Sequence, residues 1–470
     1  MRTERSATRE LAVVVAAALL ASGCVSSFAS DVRRVGSSTA TELPREVLES
    51  VDPATDEAVS RALREPLTAD AAARIAIANH RGLRATLREL GIERGLATQA
   101  GLLPNPRFEL DFRQSQDPTQ PLQIDLYAEY DLTHALLTPL RAAAAGHDLE
   151  AARQRAAGQV LATAYEARVA FHSARAAERR LVFAQRALEA LAASRDAAQA
   201  LFDAGNIAEL DLATRIVAYE EARAETAMFE LERADARERL HRALGLHGRD
   251  TTWAISEAVE PLPEDEALPE SVERATLEAS FELAELRSRL EASAQRAGLA
   301  RAEGWLPDVT VDVHAEQDGN AWEAGAGASF TLPIFDRREG ETAAHEARFD
   351  GLMERYVGLA VDLRSAARAG RNRLASMRLR ARQYDGVIVP ARRRVYEQTM
   401  LQYDAMQVGV FDVIAALRRL LAAELDAVTA HRDYWIARAA MDALLRGQRV
   451  GLASPAGAGM SSEADTGGGH

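Results

Sequence analysis

The chain has 470 residues, is 47% hydrophobic and 27% charged, and carries a formal net charge of -14 at pH 7. That length can hold several ordinary domains, and the mixture of apolar and charged residues also suits long amphipathic helices. The acidic balance argues against a nucleic-acid partner, whose phosphates need a basic surface.

Arg2, Arg5 and Arg9 precede the apolar run LAVVVAAALLA, which is too short to span a bilayer as a helix and has the length of a signal-peptide core. The run ends in A-S-G-C, and Cys24 is the single cysteine of the chain. This ending resembles the lipobox of bacterial lipoproteins, with Ala21 where leucine is usual. The resemblance implies a signal peptide over 1–23, acylation of Cys24 and, because Val25 follows in place of Asp, sorting to the outer membrane. An incidental cysteine behind an ordinary signal peptide is the alternative. One cysteine excludes an intrachain disulfide. Residues 24–66, mixed and Ser/Thr-rich with scattered Pro, read as linker and lipid anchor.

From Leu67 to Leu103 the pattern is helical, and Pro104 and Pro106 end it. The period then changes to two. Phe108, Leu110 and Phe112 alternate with Glu109, Asp111 and Arg113; after SQDPTQP, Leu122, Ile124, Leu126, Ala128 and Tyr130 alternate with Gln123, Asp125, Tyr127 and Glu129. This predicts a β-hairpin over 106–132 with strands of about 9 to 11 residues, the length of a tilted membrane-crossing strand. A half-buried soluble sheet is the alternative. No later stretch reaches the roughly 18 apolar residues of a membrane helix, so a membrane-spanning mature chain must use strands.

Ala135 to Ala204 has almost no helix breaker, and a seam runs through it at spacings of three and four: Leu149, Ala152, Ala156, Val160, Thr163, Ala167, Ala170, Ala174, Ala177, Leu181, Ala184, Leu188 and Leu191. A returning helix follows from about Leu210 to Leu246. The same order recurs. A helical stretch ends at Trp305-Leu306-Pro307, and a hairpin over 308–332 sets Thr310, Asp312, His314 and Glu316 against Val309, Val311 and Val313. Trp322, Ala324, Ala326, Ala328 and Phe330 share one face, and helices follow over about Glu341–Gln402 and Phe411–Leu445.

FDAGNIAELDL, beginning at Phe202, returns as YDAMQVGVFDV, beginning at Tyr403. The chain is therefore a tandem duplication with a period of about 200 residues, and these phrases are the tips of two helical hairpins. The first repeat covers 67–250 with its tip near 202–209. A linker over 251–268 precedes the second repeat, 269–450, with its tip near 403–410, and 451–470 reads as a disordered tail. The run EPLPEDEALPE has the composition of a solvated linker, and His241 and His247 fall at the end of an exposed-looking helix. There is no G-x-S-x-G, no P-loop and no cysteine for a catalytic pair, and no histidine pair has a ligand-rich context, so neither an enzyme nor a metal or cofactor site is expected.

LLPNP and WLPDV before the strands, LPIFDRREG at 332–340, the two tip phrases and the lipobox together resemble the TolC-type outer-membrane efflux proteins, over about Leu67 to Arg446. DLTHALLTPLR, the first-repeat counterpart of LPIFDRREG, departs from the family pattern. The resemblance implies a mainly α fold with a transmembrane β-barrel: a homotrimer in which each chain gives four strands to a 12-stranded barrel and its helices to a periplasmic coiled-coil tunnel. It implies an exit duct of a tripartite efflux system, working with a periplasmic adaptor (membrane fusion) protein and an inner-membrane pump. With the apolar strand faces toward lipid, the lumen receives Glu109, Asp111, Asp125, Glu129, Asp312, Glu316 and Glu323, with Arg113 as the only clear opposing charge, which favours cations; polar residues that merely keep the passage wet, with incidental sign, are the alternative.

The resemblance also implies a periplasmic gate at Asp211, Tyr403 and Asp412, and adaptor docking at Gly205, Asn206, Val408 and Gly409. Val408 and Ala415 stand where the family can carry polar gate residues, and Met406 replaces the glycine that Gly205 supplies. Charge stabilisation at helix N-termini is the alternative reading of Asp211 and Asp412. A lipid-anchored periplasmic coiled-coil scaffold without channel activity is the alternative for the whole chain.

Overall fold

A computed structural model describes residues 28–40, 59–114, 122–256, 260–318 and 321–450. The signal peptide, Cys24 and the 451–470 tail lie outside the described residues. The elements are α1 (Phe28–Ser38), α2 (Ala69–Asn79), α3 (Arg81–Ala100), β1 (Arg107–Arg113), β2 (Gln123–Asp131), α4 (Leu132–Asp203), α5 (Glu209–Leu244), α6 (Val272–Ala279), α7 (Phe281–Trp305), β3 (Asp308–Asp318), β4 (Ala321–Thr331), α8 (Glu339–Gln383), a π-turn (Tyr384–Ile388), α9 (Val389–Asp404) and α10 (Val410–Leu445). The described residues divide into two units: those of 28–38, 88–153 and 288–350, and those of 39–87, 154–287 and 351–450.

The first unit holds one antiparallel sheet in the order β1-β2-β3-β4. β1 is seven residues long, shorter than its alternation predicts. The long helix α4 begins directly at Leu132 because Asp131 Oδ1 accepts from the His134 N–H at 2.7 Å. Thr133 Oγ1 donates to the Pro307 carbonyl and accepts from the Val309 N–H, both at 2.8 Å, so the first-repeat phrase that departs from LPIFDRREG stitches the start of α4 to the start of β3.

LPIFDRREG has its own packing reason. A Cβ on Gly304 would lie 2.0 Å from the Arg337 carbonyl oxygen, so only glycine lets this loop lie on the end of α7. Asp336 Oδ1 accepts from the Arg338 N–H at 2.9 Å, and Arg338 pairs with Glu303 at 3.1 Å and Glu341 at 2.8 Å.

The linker reading of 24–66 is corrected in part. Residues 28–38 form α1, with Val32 and Val35 each 1% exposed. Asp31, also 1% exposed, is bracketed by Arg94, whose Nε donates at 2.8 Å, and by Arg153, whose Nη2 donates at 2.7 Å. Burial raises the Asp31 pKa, but hydrogen bonds and charge from Arg94 and Arg153 outweigh it and hold the carboxyl below its ordinary value.

In the second unit each repeat builds a similar core. The first collects Val59, Leu63, Leu67, Ile75, Phe171, Leu240, Leu244 and Trp253. The second collects Val272, Leu283, Leu359, Leu363, Leu374, Tyr434, Met441 and Leu444. Along α4 the seam is buried except at Ala170 and Leu188, which are half-buried, and its alanines let a neighbouring backbone approach closely.

The helical stretch predicted over Leu67–Leu103 breaks at His80, and its counterpart breaks at Ser280. Each break residue caps the helix that follows: His80 Nδ1 accepts from the Leu83 N–H, and Ser280 Oγ from the Leu283 N–H, both at 3.2 Å. Asn79 donates to the Leu244 carbonyl at 3.0 Å, while the Phe281 N–H donates to the Gly447 carbonyl at 3.1 Å, so the same closure is made with different groups in each repeat.

Four further expectations are corrected. The 251–268 linker is ordered where it is described: Leu67 and Ile255 form a parallel bridge, Trp253 is buried, and Leu262 and Leu268 pack on the second core. The stretch EPLPEDEALPE is not merely solvated, because Glu266 accepts from Tyr434 Oη at 2.6 Å and pairs with Arg438. His241 is buried, edge-on to Trp253 with ring centroids 5.6 Å apart. The helix predicted over Glu341–Gln402 contains the π-turn: Pro390 has no N–H to donate, and the Val389 N–H reaches back five residues to the Tyr384 carbonyl.

Candidate functional site

Strand register brings the predicted carboxylates together. Asp111 lies opposite Asp125, Asp125 opposite Glu316 and Glu316 opposite Glu323, while Glu129 lies opposite Asp312 and Glu109 opposite Tyr127. Residues one strand position apart alternate faces, so this set shares one face and Phe108, Leu110, Phe112, Val313, Trp322 and Phe330 expose the other. On the acidic face a concavity of about 490 Å³ is lined by Glu109, Asp111, Asp125, Glu129 and Glu316, with Tyr127 and His314.

Like charges directly across a strand pair oppose one another, and this face partly offsets them. Arg113 pairs with Asp125 and, at 3.5 Å, with Glu316; His314 Nδ1 lies 3.3 Å from Asp312. Arg107 shares the face and reaches Glu109 at 3.5 Å, so Arg113 is not the sole opposing charge; strict alternation from Glu109 back to residue 107 carries that signal. A Cβ on Gly325 or Gly327 would lie 2.5 Å from His314 Nε2 or Asp312 Oδ1 respectively, so the bare backbone of β4 makes room for the side chains of β3.

The two tips share one geometry. Gly205 has φ 71° and Met406 φ 58°. In each, two amide-to-carbonyl bonds of 2.8 Å close the turn, from Gly205 to Phe202 and Asn206 to Leu201, and from Met406 to Tyr403 and Gln407 to Gln402. Gly205, Asn206 and Gly409 are exposed and Val408 is half-buried.

Asp412 Oδ2 accepts from the Gly409 N–H at 3.0 Å, so it caps α10, and Asp211 lies with Glu209 in the first turn of α5. Tyr403 is 42% exposed at the end of α9. Among the described residues no hydrogen bond joins Asp211, Tyr403 and Asp412 to one another. Behind the tips the Arg215 guanidinium stacks over Phe411 at 4.4 Å, a link between the hairpins that no spacing in the sequence signals.

Among the described residues no group of three or more His, Cys, Asp or Glu side chains is arranged to hold a metal ion, and no helix is long and apolar enough to cross a membrane.

The fold is thus defined by a four-stranded antiparallel sheet with one acidic and one apolar face, and by duplicated helical hairpins. No family model matches the chain. In sequence it is 26% identical over 369 residues to the cobalt-zinc-cadmium resistance protein CzcC of Cupriavidus metallidurans, across 77% of this chain and 85% of that one. In structure it resembles CusC with a TM-score of 0.68 at 16% identity, across 81% of this chain and 92% of that one. A membrane protein from Pseudomonas aeruginosa matches with a TM-score of 0.67 at 20% identity, across 80% and 92% of the two chains. VceC, an outer membrane protein of Vibrio cholerae, matches with a TM-score of 0.62 at 17% identity, across 84% and 97%. The chain is thus similar in sequence to one outer-membrane-factor relative and shares its fold with solved outer-membrane channels.

Proposed function

We propose that this chain forms the outer-membrane exit duct of a tripartite efflux system. The observation that carries this reading is the sheet itself. Among the described residues β1 and β4 are unpaired edges, and an edge exposed to lipid leaves backbone groups without partners. Three copies joined edge to edge close a barrel of twelve strands, with Phe108, Trp322 and Phe330 toward lipid and the carboxylate face toward the lumen. Acylated Cys24 tethers the assembly to the outer membrane.

The duct performs no chemistry. A water-filled passage lined by carboxylates concentrates cations, and a pump and adaptor in the other envelope layers supply the energy and meet the hairpin tips. Asp211, Tyr403 and Asp412 close the periplasmic mouth at rest, with contacts made between protomers. Kinship with a cobalt-zinc-cadmium resistance protein makes divalent metal cations the cargo class. Deleting the gene and scoring growth on zinc, cobalt and cadmium tests this: the reading expects hypersensitivity restored by the intact gene, and unchanged tolerance of all three metals contradicts the cargo assignment. Palmitate labelling that persists in Cys24→Ala contradicts the anchor.

A further inference from the structure

In the second unit a cavity of about 950 Å³ opens between α4, the π-turn with α9, and α10, and 260–262 form part of its wall. Its volume falls within the roughly 300–1,000 Å³ of small-molecule sites. The wall mixes apolar surface from Phe183, Leu262, Val389 and Val428 with guanidinium groups, in a chain whose net charge is -14.

Most cations around it are already engaged. Arg393 pairs with Glu424 at 3.1 Å, Arg382 donates to the Glu264 carbonyl at 2.6 Å, Arg432 pairs with Asp433 at 2.8 Å, and His431 meets Asp385 at 2.7 Å. Three are not. Arg175 and Arg179, half-buried on α4, and Arg394, exposed on α9, make no ion pair within 4.0 Å among the described residues. Arg175 instead lies over the Phe171 ring at 5.5 Å, with His172 Nδ1 3.4 Å from its Nη2. Burial lowers the pKa of the Arg175 guanidinium; the Glu260 charge opposes that shift and Arg179 adds to it. Three guanidinium groups thus line a partly apolar cavity with no carboxylate in ion-pair contact among the described residues.

We infer that this cavity binds an organic carboxylate with an apolar aromatic or alicyclic body. The planar guanidinium fork suits a carboxylate, and Phe183, Leu262, Val389 and Val428 suit the body. Glu260 and Glu397 in the same wall disfavour a ligand with several anionic groups. The inference stands apart from the duct reading.

The test is calorimetric titration of the full-length protein in lipid nanodiscs with naphthalene-2-carboxylate and with its neutral isostere naphthalene-2-carboxamide. The carboxylate is expected to bind saturably, the carboxamide at least tenfold more weakly, and an Arg179→Gln/Arg394→Gln variant to lose at least tenfold in carboxylate affinity. Equal binding of acid and amide, undiminished binding by a folded double variant, or no saturable heat with the carboxylate overturns the inference. The acid-amide comparison needs only the unaltered protein, so it decides the matter even where the double variant fails to fold.

Discussion

The phenol of Tyr434 donates to the carboxylate of Glu266 at 2.6 Å, so a residue of the acidic inter-repeat stretch is fastened to a side chain that is 0% exposed in the second core. Arg438 pairs with the other carboxylate oxygen. Removing the hydroxyl in Tyr434→Phe deletes one charge-assisted bond, a loss of about 2 kcal/mol. Glu266→Ala leaves both the phenol and Arg438 without their acceptor, so it is the more damaging change. Thermal melts of the helical circular dichroism signal should rank the proteins wild type, Tyr434→Phe, Glu266→Ala. The reverse order for the two variants contradicts this assignment.

His172 gives a pH dependence. It is 4% exposed, its ring is stacked on Trp435 at 5.8 Å, and burial, aided by the Arg175 and Arg168 charges, lowers its pKa to about 3. The folded protein keeps the ring neutral while the unfolded chain protonates it near pH 6.5. Its stabilising contribution is therefore complete above pH 6.5 and is lost as pH falls toward about 3, with a slope of up to about 1.4 kcal/mol per pH unit. His172→Phe keeps an aromatic ring in the stack and should flatten the melting temperature across that window. A variant whose profile matches wild type excludes His172 as the source.

Met406 takes the left-handed conformation that Gly205 takes in the other tip. A non-glycine residue there costs about 1–2 kcal/mol, and glycine's greater freedom in the unfolded chain returns about 0.4–1 kcal/mol of that. Met406→Gly is thus expected to stabilise the second tip by about 0.5–1 kcal/mol. Slower amide hydrogen exchange at residues 403–410 is the readout, and faster exchange there contradicts the strain assignment.

Asp31 anchors α1 through Arg94 and Arg153. Truncating one member of a buried ion cluster costs about 3–5 kcal/mol because the remaining charges stay buried without a counterion. Asp31→Ala should therefore release residues 28–38 to rapid hydrogen exchange, while exchange over 59–87 in the second unit stays unchanged.

The duplicated hairpins were legible because they are local: alternation over 107–113 and 308–318 and the breaker-free run after Leu132 each follow from neighbours in sequence. Partnerships between distant residues were not. Glu266 belongs to a charged, Pro-rich run with the composition of a solvated linker, and only the fold brings Tyr434 and Arg438 to it. His80 breaks a helix without Pro or Gly, because its imidazole caps α3, a role sequence statistics give to Ser or Asn. The acidic face was legible from alternation alone, whereas the placement of Arg107 on Glu109 and of Arg215 over Phe411 arises only in the folded chain.

Single-channel recording of the purified protein in a planar bilayer, under a potassium chloride gradient, tests the central claim most directly. The duct account predicts a passive, ohmic conductance with a cation-selective reversal potential that moves toward zero in Asp125→Asn/Glu316→Gln. Absence of any conductance from the folded, membrane-inserted protein, or an anion-selective reversal potential, contradicts it.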